Sequence, residues 1–243
     1  MAAPAGAATS TAVVTDVFDG DTVRVRFDDG QIERVRYLLI DTPELHHPLK
    51  GVEELGEEAL RFNAELVEGR EIVVERDRAE RDRYGRLLAH PRLVTDEGEL
   101  LVTAALIRAG LALPLFIEPN DRHVERIEAA LEEARRNRRG LWGLAWERPF
   151  SAAQIWTFLA HLRGRFVRVR LDVAEVRRTR TRWLVTDADE RLTLAFSLAQ
   201  EGRFPDPLSW VGKTLDVIGK VEAGYRGVEI SLGHPLQIVG LSP

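Results

Sequence analysis

The sequence contains no cysteine, and its 34 basic residues include only three lysines. Without cysteine the chain has no disulfide, no thiolate zinc site and no cysteine nucleophile. No stretch approaches 18 consecutive apolar residues, so we expect no membrane-spanning helix and no membrane partner. The first ten residues, MAAPAGAATS, also lack the basic region and the apolar core of a signal peptide. These absences indicate a globular protein whose chemistry uses oxygen and nitrogen side chains.

Positive charge is carried almost entirely by arginine, and it is spread unevenly along the chain. The net charge of −5 divides into −9 over residues 1–147 and +4 over residues 148–243, and the stretch 163–182 alone holds eight arginines. An acidic chain is not typical of nucleic-acid binding, but a local arginine cluster suits bidentate phosphate contacts. A GC-rich genome or a heat-adapted host would produce the same arginine bias, so composition leaves both explanations open.

Apolar residues make up 44% of the chain and charged residues 30%, as in an ordinary globular protein. A length of 243 residues allows one large domain or two small ones. Apolar and polar residues alternate in TVRVRF (22–27), which predicts a strand, and DDGQ (28–31) predicts a hairpin turn. RVRYLLI (34–40) predicts a second, more buried strand. The first part of the chain therefore begins as a β-structure.

Helical periodicity follows in three segments of the first half. Residues 52–68 place apolar side chains on one face and are followed by Gly69, a common helix terminator. Residues 99–110 predict a second helix, and residues 119–140 a third, with Asn120 or Asp121 as its N-cap. Strand candidates lie between the first two helices, around a charged loop.

A new pattern begins near residue 150. SAAQ (151–154) is a capping box that predicts a helix start. Five strand-like runs follow, at 165–176, 182–187, 191–197, 213–222 and 226–232. One helix and five strands in about 95 residues fit a small OB-type barrel.

Charged side chains in the first half lie at the ends of predicted strands. Asp21 lies in FDGDTVRV, Asp41 and Glu44 in LLIDTPE, Arg36 in the strand before them, and Arg86 at the end of RDRYGR. Two carboxylates and a backbone carbonyl form a hard oxygen site suited to Ca²⁺. Arginines can hold a phosphodiester, and a further carboxylate can deprotonate a water. The set predicts phosphodiester hydrolysis.

Each of these motifs taken alone has a structural explanation. DGDT is commonly a turn, DTPE a strand end, and Arg36 could form a structural ion pair. The joint order and spacing favour the functional interpretation.

The chain from about residue 13 to 142 resembles the staphylococcal nuclease (thermonuclease) family. The matching stretches occur in the family's order and cover nearly the whole domain. They are DGDTVRV, RYLLIDTPE, HPLKGVEELGEEA, RDRYGRLLA, ALIRAGLA, EPNDRH and ARRNRRGLWG. The resemblance implies an α+β, mainly β fold, which is a five-stranded OB barrel with three helices, and Ca²⁺-dependent hydrolysis of DNA or RNA to 3′-phosphate products.

The resemblance also assigns roles to residues of this sequence. Asp21 and Asp41 match the metal carboxylates, and Thr42 matches the residue whose carbonyl binds the metal. Glu44 matches the proposed general base. Three arginines, a lysine and a tyrosine match residues that contact phosphate, namely Arg36 and Arg86 at the reacting group and Lys50, Arg83 and Tyr84 along the nucleotide.

One segment departs from the family pattern. Leu115 and Ile117 stand where the family has tyrosines that line the nucleotide pocket, and Glu118 replaces a lysine. We therefore expect less base stacking and fewer phenolic hydrogen bonds at this pocket.

The second half resembles bacterial OB-fold nucleic-acid-binding domains. We expect a flexible N-terminus over 1–11, the nuclease-like domain over 12–143, a linker over 144–150 and a second, smaller OB-fold barrel over 151–243. Trp183, Phe196 and Tyr225 are candidates to stack on bases. The expected nucleic-acid contacts are Arg168, Arg170, Arg178, Arg180, Arg182 and Trp183. A solvated arginine face with core aromatics is the alternative.

Three functional hypotheses follow. The first is an extracellular or periplasmic Ca²⁺-dependent nuclease that prefers single-stranded DNA or RNA, with a cytoplasmic location as the alternative. The second is a non-catalytic nucleic-acid-binding or scaffold protein that uses the nuclease fold. In the third, the second domain mediates protein contacts and binds no nucleic acid. No obligate protein partner is evident from the sequence.

Overall fold

The computed structural model of the chain describes residues 8–45, 51–96, 98–224 and 227–242, so Lys50 and Tyr225 lie outside the described residues. The chain divides into two compact units. The first unit runs up to Leu45 and resumes over Leu55–Glu133. The second unit contains the described residues 51–54 and those from Ala134 onward. The expected domain limits stay a prediction. Within the described ranges, no helix is long and apolar enough to cross a bilayer.

The first unit combines eight described strands with three helices. The strands are β1 (Thr9–Val17), β2 (Thr22–Phe27), β3 (Ile32–Tyr37), β4 (Leu39–Asp41), β5 (Glu71–Arg81), β6 (Leu87–Thr95), β7 (Gly98–Leu101) and β8 (Leu113–Leu115). The helices are α1 (Gly56–Val67), α2 (Val102–Arg108) and α3 (Val124–Arg136), the last of which crosses the division at Glu133. Strand β1 begins at Thr9, so the predicted flexible N-terminus over 1–11 overlaps the first strand.

A closed five-stranded barrel forms the centre of this unit. Its strands are hydrogen-bonded in the order β3-β2-β1-β5-β6, and β3 also pairs with β6, which closes the ring. The closing pair is parallel, with Val35 opposite Leu87, whereas the other pairs are antiparallel. The predicted OB-like α+β fold of this half is confirmed.

The alternation in β2 separates a core face from an outer face. Val23, Val25 and Val35 are fully buried inside the barrel, while Arg24 and Arg26 lie on the other face. Burying a valine contributes roughly 1.5–3 kcal/mol. The barrel is therefore stabilised by the apolar faces of its strands, and the polar faces can carry the side chains of the site.

Two predicted elements differ from the structure. RVRYLLI was expected as one strand, but β3 ends at Tyr37 and Leu39 has a left-handed backbone with φ 67°. Helix α3 begins at Val124 and not beside Asn120, because the Asn120 side-chain oxygen accepts a 2.9 Å hydrogen bond from the Ala79 amide. At Asn120, a contact with a residue distant in sequence therefore overrides the local pattern.

The second unit contains short helices and two sheets. Its helices are α4 (Leu141–Trp146), α5 (Ala152–Thr157) and α6 (Leu159–Leu162). Its strands are β9 (Pro149–Ser151), β10 (Phe166–Asp172), β11 (Glu175–Arg178), β12 (Arg182–Thr186), β13 (Leu192–Ser197), β14 (Thr214–Lys220), β15 (Glu222–Ala223), β16 (Val228–Ser231) and β17 (Ile238–Ser242). Short 3₁₀ helices lie at Leu198–Arg203, Pro207–Trp210 and Pro235–Gln237.

One apolar core is shared by the two sheets of the second unit. The sheets have the strand orders β17-β14-β10-β9 and β11-β12-β13-β16-β15. Val167 and Val169 of β10 and Trp183 of β12 belong to the same buried cluster. The capping box predicted at Ser151 and Gln154 is present at the start of α5. A second OB barrel remains a prediction.

Candidate functional site

Gly20 brings the Asp19–Asp21 turn close to its neighbours. A Cβ atom at Gly20 would lie 2.6 Å from Thr42 Cγ2 and 2.8 Å from Ala59 Cβ of α1, closer than carbon atoms can pack. The Asp19 carboxylate accepts a 2.9 Å hydrogen bond from the Asp21 amide and fixes the turn. DGD therefore needs its glycine because the turn packs directly on Thr42 and α1.

Both carboxylate oxygens of Asp21 are satisfied although the residue is only 5% exposed. Oδ2 accepts hydrogen bonds from the amide and the hydroxyl of Thr42, each 2.9 Å long. Oδ1 accepts from Thr22 Oγ1 at 3.2 Å and lies 3.1 Å from Arg36 Nε. Burial raises the pKa of Asp21, and it outweighs the opposing effect of the Arg36 charge.

Arg36 joins the two predicted metal carboxylates. Its Nε contacts Asp21 and its Nη2 lies 3.0 Å from Asp41 Oδ1. Its Nη1 donates to the carbonyl oxygens of Tyr37 and Ile40, at 2.5 and 2.9 Å. Burial would lower the pKa of Arg36, but the nearby carboxylates Asp21 and Asp41 raise it. The same guanidinium therefore stabilises the bend after β3 and contacts both carboxylates.

Arg86 reaches the same cluster through Thr22. Its Nη1 lies 3.4 Å from Thr22 Oγ1, the hydroxyl that also contacts Asp21. Asp82 anchors Arg86, accepting from its Nε at 2.7 Å and from its amide at 2.9 Å. Burial would raise the pKa of Asp82, but the hydrogen bonds from Arg86 and from the Tyr84 amide lower it. The structure thus brings Asp21, Arg36 and Arg86 together.

A cleft of about 630 Å³ opens beside these arginines. Tyr84 lies on its rim with 69% of its surface exposed, and Arg83 donates to the Tyr84 hydroxyl at 2.6 Å. Leu115 of β8 and Ile117 form an apolar part of the wall. The cleft is thus lined by charged donors such as Arg36 and Arg86 as well as by apolar side chains.

The carboxylate cluster contains oxygen donors of the type that binds hard cations, although both Asp21 oxygens already accept contacts from Thr42, Thr22 or Arg36. Carboxylate oxygens of Asp21 and Asp41, with the Thr42 carbonyl, are the ligand types that Ca²⁺ prefers. Among the described residues no group of three or more His, Cys, Asp or Glu side chains lies close enough together to hold a metal ion. A Ca²⁺ held here would take its remaining ligands from backbone and water, and it would share the carboxylates with Arg36.

Glu44 lies three residues beyond Asp41 and is half-buried. Its charge is among those that raise the pKa of Arg36, so it lies within electrostatic range of the cluster. Lys50, the remaining predicted phosphate contact of this half, is outside the described residues. The predicted roles of these two side chains stay predictions.

Thr22 and Asp82 are site residues that the sequence analysis missed. Thr22 bridges Asp21 and Arg86, and Asp82 fixes the turn that presents Arg83 and Tyr84. For Asp82 a signal was available, because an aspartate at the start of a turn commonly accepts hydrogen bonds from amides two residues on. No such local signal identifies Thr22.

The predicted contacts of the second unit are only partly accessible. Trp183 is 6% exposed and lies in the apolar core, so the expectation that it stacks on bases is corrected. Phe196 is likewise buried, at 2%. Arg168 is paired with Asp216 at 3.2 Å and lies over the Trp146 ring. The remaining predicted arginines are exposed, namely Arg170, Arg178, Arg180 and Arg182.

The exposed arginines differ in their ion pairs. Arg182 lies 2.6 Å from Glu229 and Arg178 lies 3.6 Å from Glu201. Within the described part of the chain, no carboxylate pairs with Arg170 or Arg180. These two arginines are the more available cations of the second unit.

The closed barrel and its cluster of carboxylates and arginines define a class of small barrel proteins with a charged site. The family model described as "Staphylococcal nuclease homologue" matches residues 34–144. Thermonuclease of Staphylococcus intermedius is 36% identical over 130 residues, which cover 54% of this chain and 74% of that protein. The chain belongs to the family of staphylococcal nuclease homologues.

Two Bacillus subtilis (strain 168) proteins are each similar to about half of the chain. SPbeta prophage-derived endonuclease YokF is 37% identical over 138 residues, 55% of this chain and 45% of YokF. Endonuclease YncB is 37% identical over 126 residues, 51% of this chain and 57% of YncB. The chain thus spans about half the length of these relatives.

Proposed function

We propose that this protein is a Ca²⁺-dependent nuclease that hydrolyses phosphodiester bonds of DNA or RNA and leaves 3′-phosphate products. One observation carries the proposal: a single guanidinium, that of Arg36, contacts Asp21 at 3.1 Å and Asp41 at 3.0 Å. Arg86 joins this cluster through Thr22. Family membership and the names of the endonuclease and thermonuclease relatives support the same activity.

The roles of the side chains follow from charge and geometry. Arg36 and Arg86 donate to the non-bridging phosphate oxygens and stabilise the added negative charge of five-coordinate phosphorus. Glu44 accepts the proton of the attacking water, whose oxygen forms a bond to phosphorus. The bond from phosphorus to the 5′ oxygen then breaks, and the 5′ oxygen takes a proton from solvent and leaves as a hydroxyl. Asp21 and Asp41 would hold Ca²⁺, which supplies positive charge to the phosphate oxygens when bound.

The cleft would receive the nucleotide beside the reacting phosphate. Arg83 and Tyr84 would contact its phosphate groups, as would Lys50. The aliphatic side chains of Leu115 and Ile117 touch a base without hydrogen-bonding to its edge, so we expect weak base preference. A base must leave its pair to enter such a cleft, which favours single-stranded substrate.

The test combines metal removal with a change at Glu44. With Ca²⁺ the protein should degrade single-stranded DNA, and a chelator should stop the reaction. Glu44→Gln should lower kcat by about 100-fold or more while the oligonucleotide still binds, the scale expected for losing a positioned base. Glu57→Gln, at an exposed position of α1, is the matched control and should be unaffected. Binding without hydrolysis in the unmodified protein would favour the non-catalytic alternative.

The exposed arginines of the second unit support a second part of the proposal, an OB-type barrel that binds single-stranded nucleic acid. Because unit two also contains residues 134–147, deleting 151–243 would break a compact unit, so point variants are preferable. Arg170→Gln with Arg180→Gln should weaken oligonucleotide binding and reduce its salt dependence. Unchanged affinity and salt dependence would favour a protein-contact role for this unit.

A further inference from the structure

The outer face of the β2–β3 hairpin forms a row of cations that leads away from the site. Cα partners across the hairpin share a face, and so do residues two apart along each strand. The paired residues of this face are Thr22 with Arg36, Arg24 with Arg34, and Arg26 with Ile32. The opposite face carries the buried Val23, Val25 and Val35. Thr22 and Arg36, which belong to the site, thus lie at one end of this outer face, and Arg24, Arg34 and Arg26 follow along it.

Arg24 and Arg34 lie directly opposite each other. Like charges in this position destabilise a strand pair by roughly 0.2–1 kcal/mol. Both guanidinium groups are held over the ring of Phe18, at 5.0 and 4.0 Å from its centre. Asp16 pairs with Arg24 at 2.9 Å. A single arginine would suffice to pack on Phe18, so packing alone does not explain the second.

Arg26 and Arg34 have no neutralising partner in the ranges that the structure describes. Both side chains are exposed. The first 147 residues have a net charge of −9, so carboxylates are plentiful in this part of the chain. Among the described residues, Asp16 is the one carboxylate that pairs with Arg24, Arg26 or Arg34. The face therefore keeps an excess of positive charge next to Arg36.

We propose that the arginine row, defined as Arg24, Arg26 and Arg34, binds the sugar-phosphate backbone of the substrate. It would contact the nucleic-acid strand where that strand continues beyond the phosphodiester bond held by Arg36 and Arg86. The proposal rests on the proposed function, since it extends that substrate beyond the cleft. Strand β2 extends about 14 Å from Thr22 to Arg26, a length that spans a few nucleotides. The row supplies point contacts to phosphates and none to base edges, so it adds affinity without sequence preference.

The experiment uses the full-length protein with Arg26→Gln and Arg34→Gln combined, because neither residue contacts the carboxylate cluster. Binding of a fluorescent single-stranded 12-mer is measured with chelator present over a range of salt concentrations. Two lost phosphate contacts should lower the slope of log Kd against log salt by about 1.4. We expect Kd for the 12-mer to rise about tenfold at low salt, while kcat/KM for a dinucleotide with Ca²⁺ stays unchanged.

Two control proteins separate a local site from a general charge effect. Arg61→Gln with Arg70→Gln removes the same charge from exposed positions on α1 and just before β5, and should leave both measurements unchanged. Arg26→Lys with Arg34→Lys keeps the charge and should retain most of the salt slope. Thermal melts verify that every variant is folded.

The proposal fails if the glutamine pair binds the 12-mer with the original salt slope, or if the control pair loses as much affinity. It also fails if dinucleotide hydrolysis falls in step with 12-mer binding, because the arginines would then act through the site. If the original protein hydrolyses no substrate but the glutamine pair still loses 12-mer binding, the arginine-row proposal stands and only the nuclease proposal is overturned.

Discussion

Replacing His90 would measure how burial controls ionisation within the barrel. His90 lies on β6 with no exposed surface, and its Nε2 is 3.2 Å from Asp77 Oδ2 of β5. Burial lowers the pKa of His90 from 6.5 to about 4, although Asp77 and Glu75 oppose the shift and His123, 5.0 Å away edge to face, adds to it. The folded barrel therefore keeps this imidazole neutral.

The direction of the pH effect follows from linkage. Between pH 6.5 and about 4 the unfolded chain binds a proton at His90 that the folded chain does not, so stability falls as the pH falls. Each pH unit in this window costs up to about 1.4 kcal/mol, and the whole window about 3 kcal/mol. The lowered pKa of Asp77 adds a further loss at still lower pH.

His90→Gln removes this titration while keeping a side-chain amide that can donate to Asp77. We expect the variant to be less stable at pH 7, because glutamine does not fill the volume of the ring. Between pH 6.5 and 4, however, its free energy of unfolding should fall by about 3 kcal/mol less than that of the original protein. Urea denaturation at half-unit pH intervals provides the comparison.

Parallel curves for the two proteins would refute this reasoning. An NMR titration gives an independent check, since the His90 ring resonances of the folded protein should not move until the pH approaches 4. A midpoint near 6.5 would mean that the ring gains access to water and that burial does not control its charge.

Two further substitutions test the geometry of the site. Gly20→Ala should lower stability by about 1–3 kcal/mol and reduce activity, because its Cβ displaces Thr42 and with it the hydrogen bonds to the Asp21 carboxylate. Gly202→Ala, with nothing within 4 Å of its Cβ, is the control, and equal melting temperatures for both variants would contradict the packing argument. Asp82→Asn should lower kcat/KM about tenfold, the equivalent of about 1.4 kcal/mol, by loosening Arg86 while the melting temperature hardly changes. Unaltered kinetics in that variant would remove Asp82 from the positioning of Arg86.

The alternation of apolar and polar residues predicted the barrel strands well where one face of a strand is buried. Val23 and Val25 alternate with arginines in β2, and both valines are fully buried as the period of two requires. The resemblance placed Asp21, Asp41 and Arg36 in one site, and the structure brings these side chains into contact. Short-range periodicity and motif order thus carried most of the prediction in the first unit.

The bend at Leu38–Leu39 could not be predicted in this way. An apolar run reads as one continuous strand, and a leucine with positive φ costs roughly 1–2 kcal/mol, so local preference opposes the turn. The compensating contacts come from Arg36, which donates to the carbonyls of Tyr37 and Ile40. Trp183 failed for a related reason, since alternation identifies two faces of a strand but not which of them is covered.

In the proposed nuclease Arg36 serves both the fold and the substrate, and the exposure of its two carboxylate partners indicates how. The Asp21 side chain is 7% exposed and also takes hydrogen bonds from Thr42 and Thr22, so its pair with Arg36 is embedded in the barrel. The Asp41 side chain is 45% exposed, and water screens its pair with Arg36. A phosphodiester arriving from solvent would therefore replace Asp41 at Nη2 and leave the Nε contact to Asp21 intact. The guanidinium would keep its anchor to Asp21 while it exchanges one carboxylate partner for a phosphate oxygen.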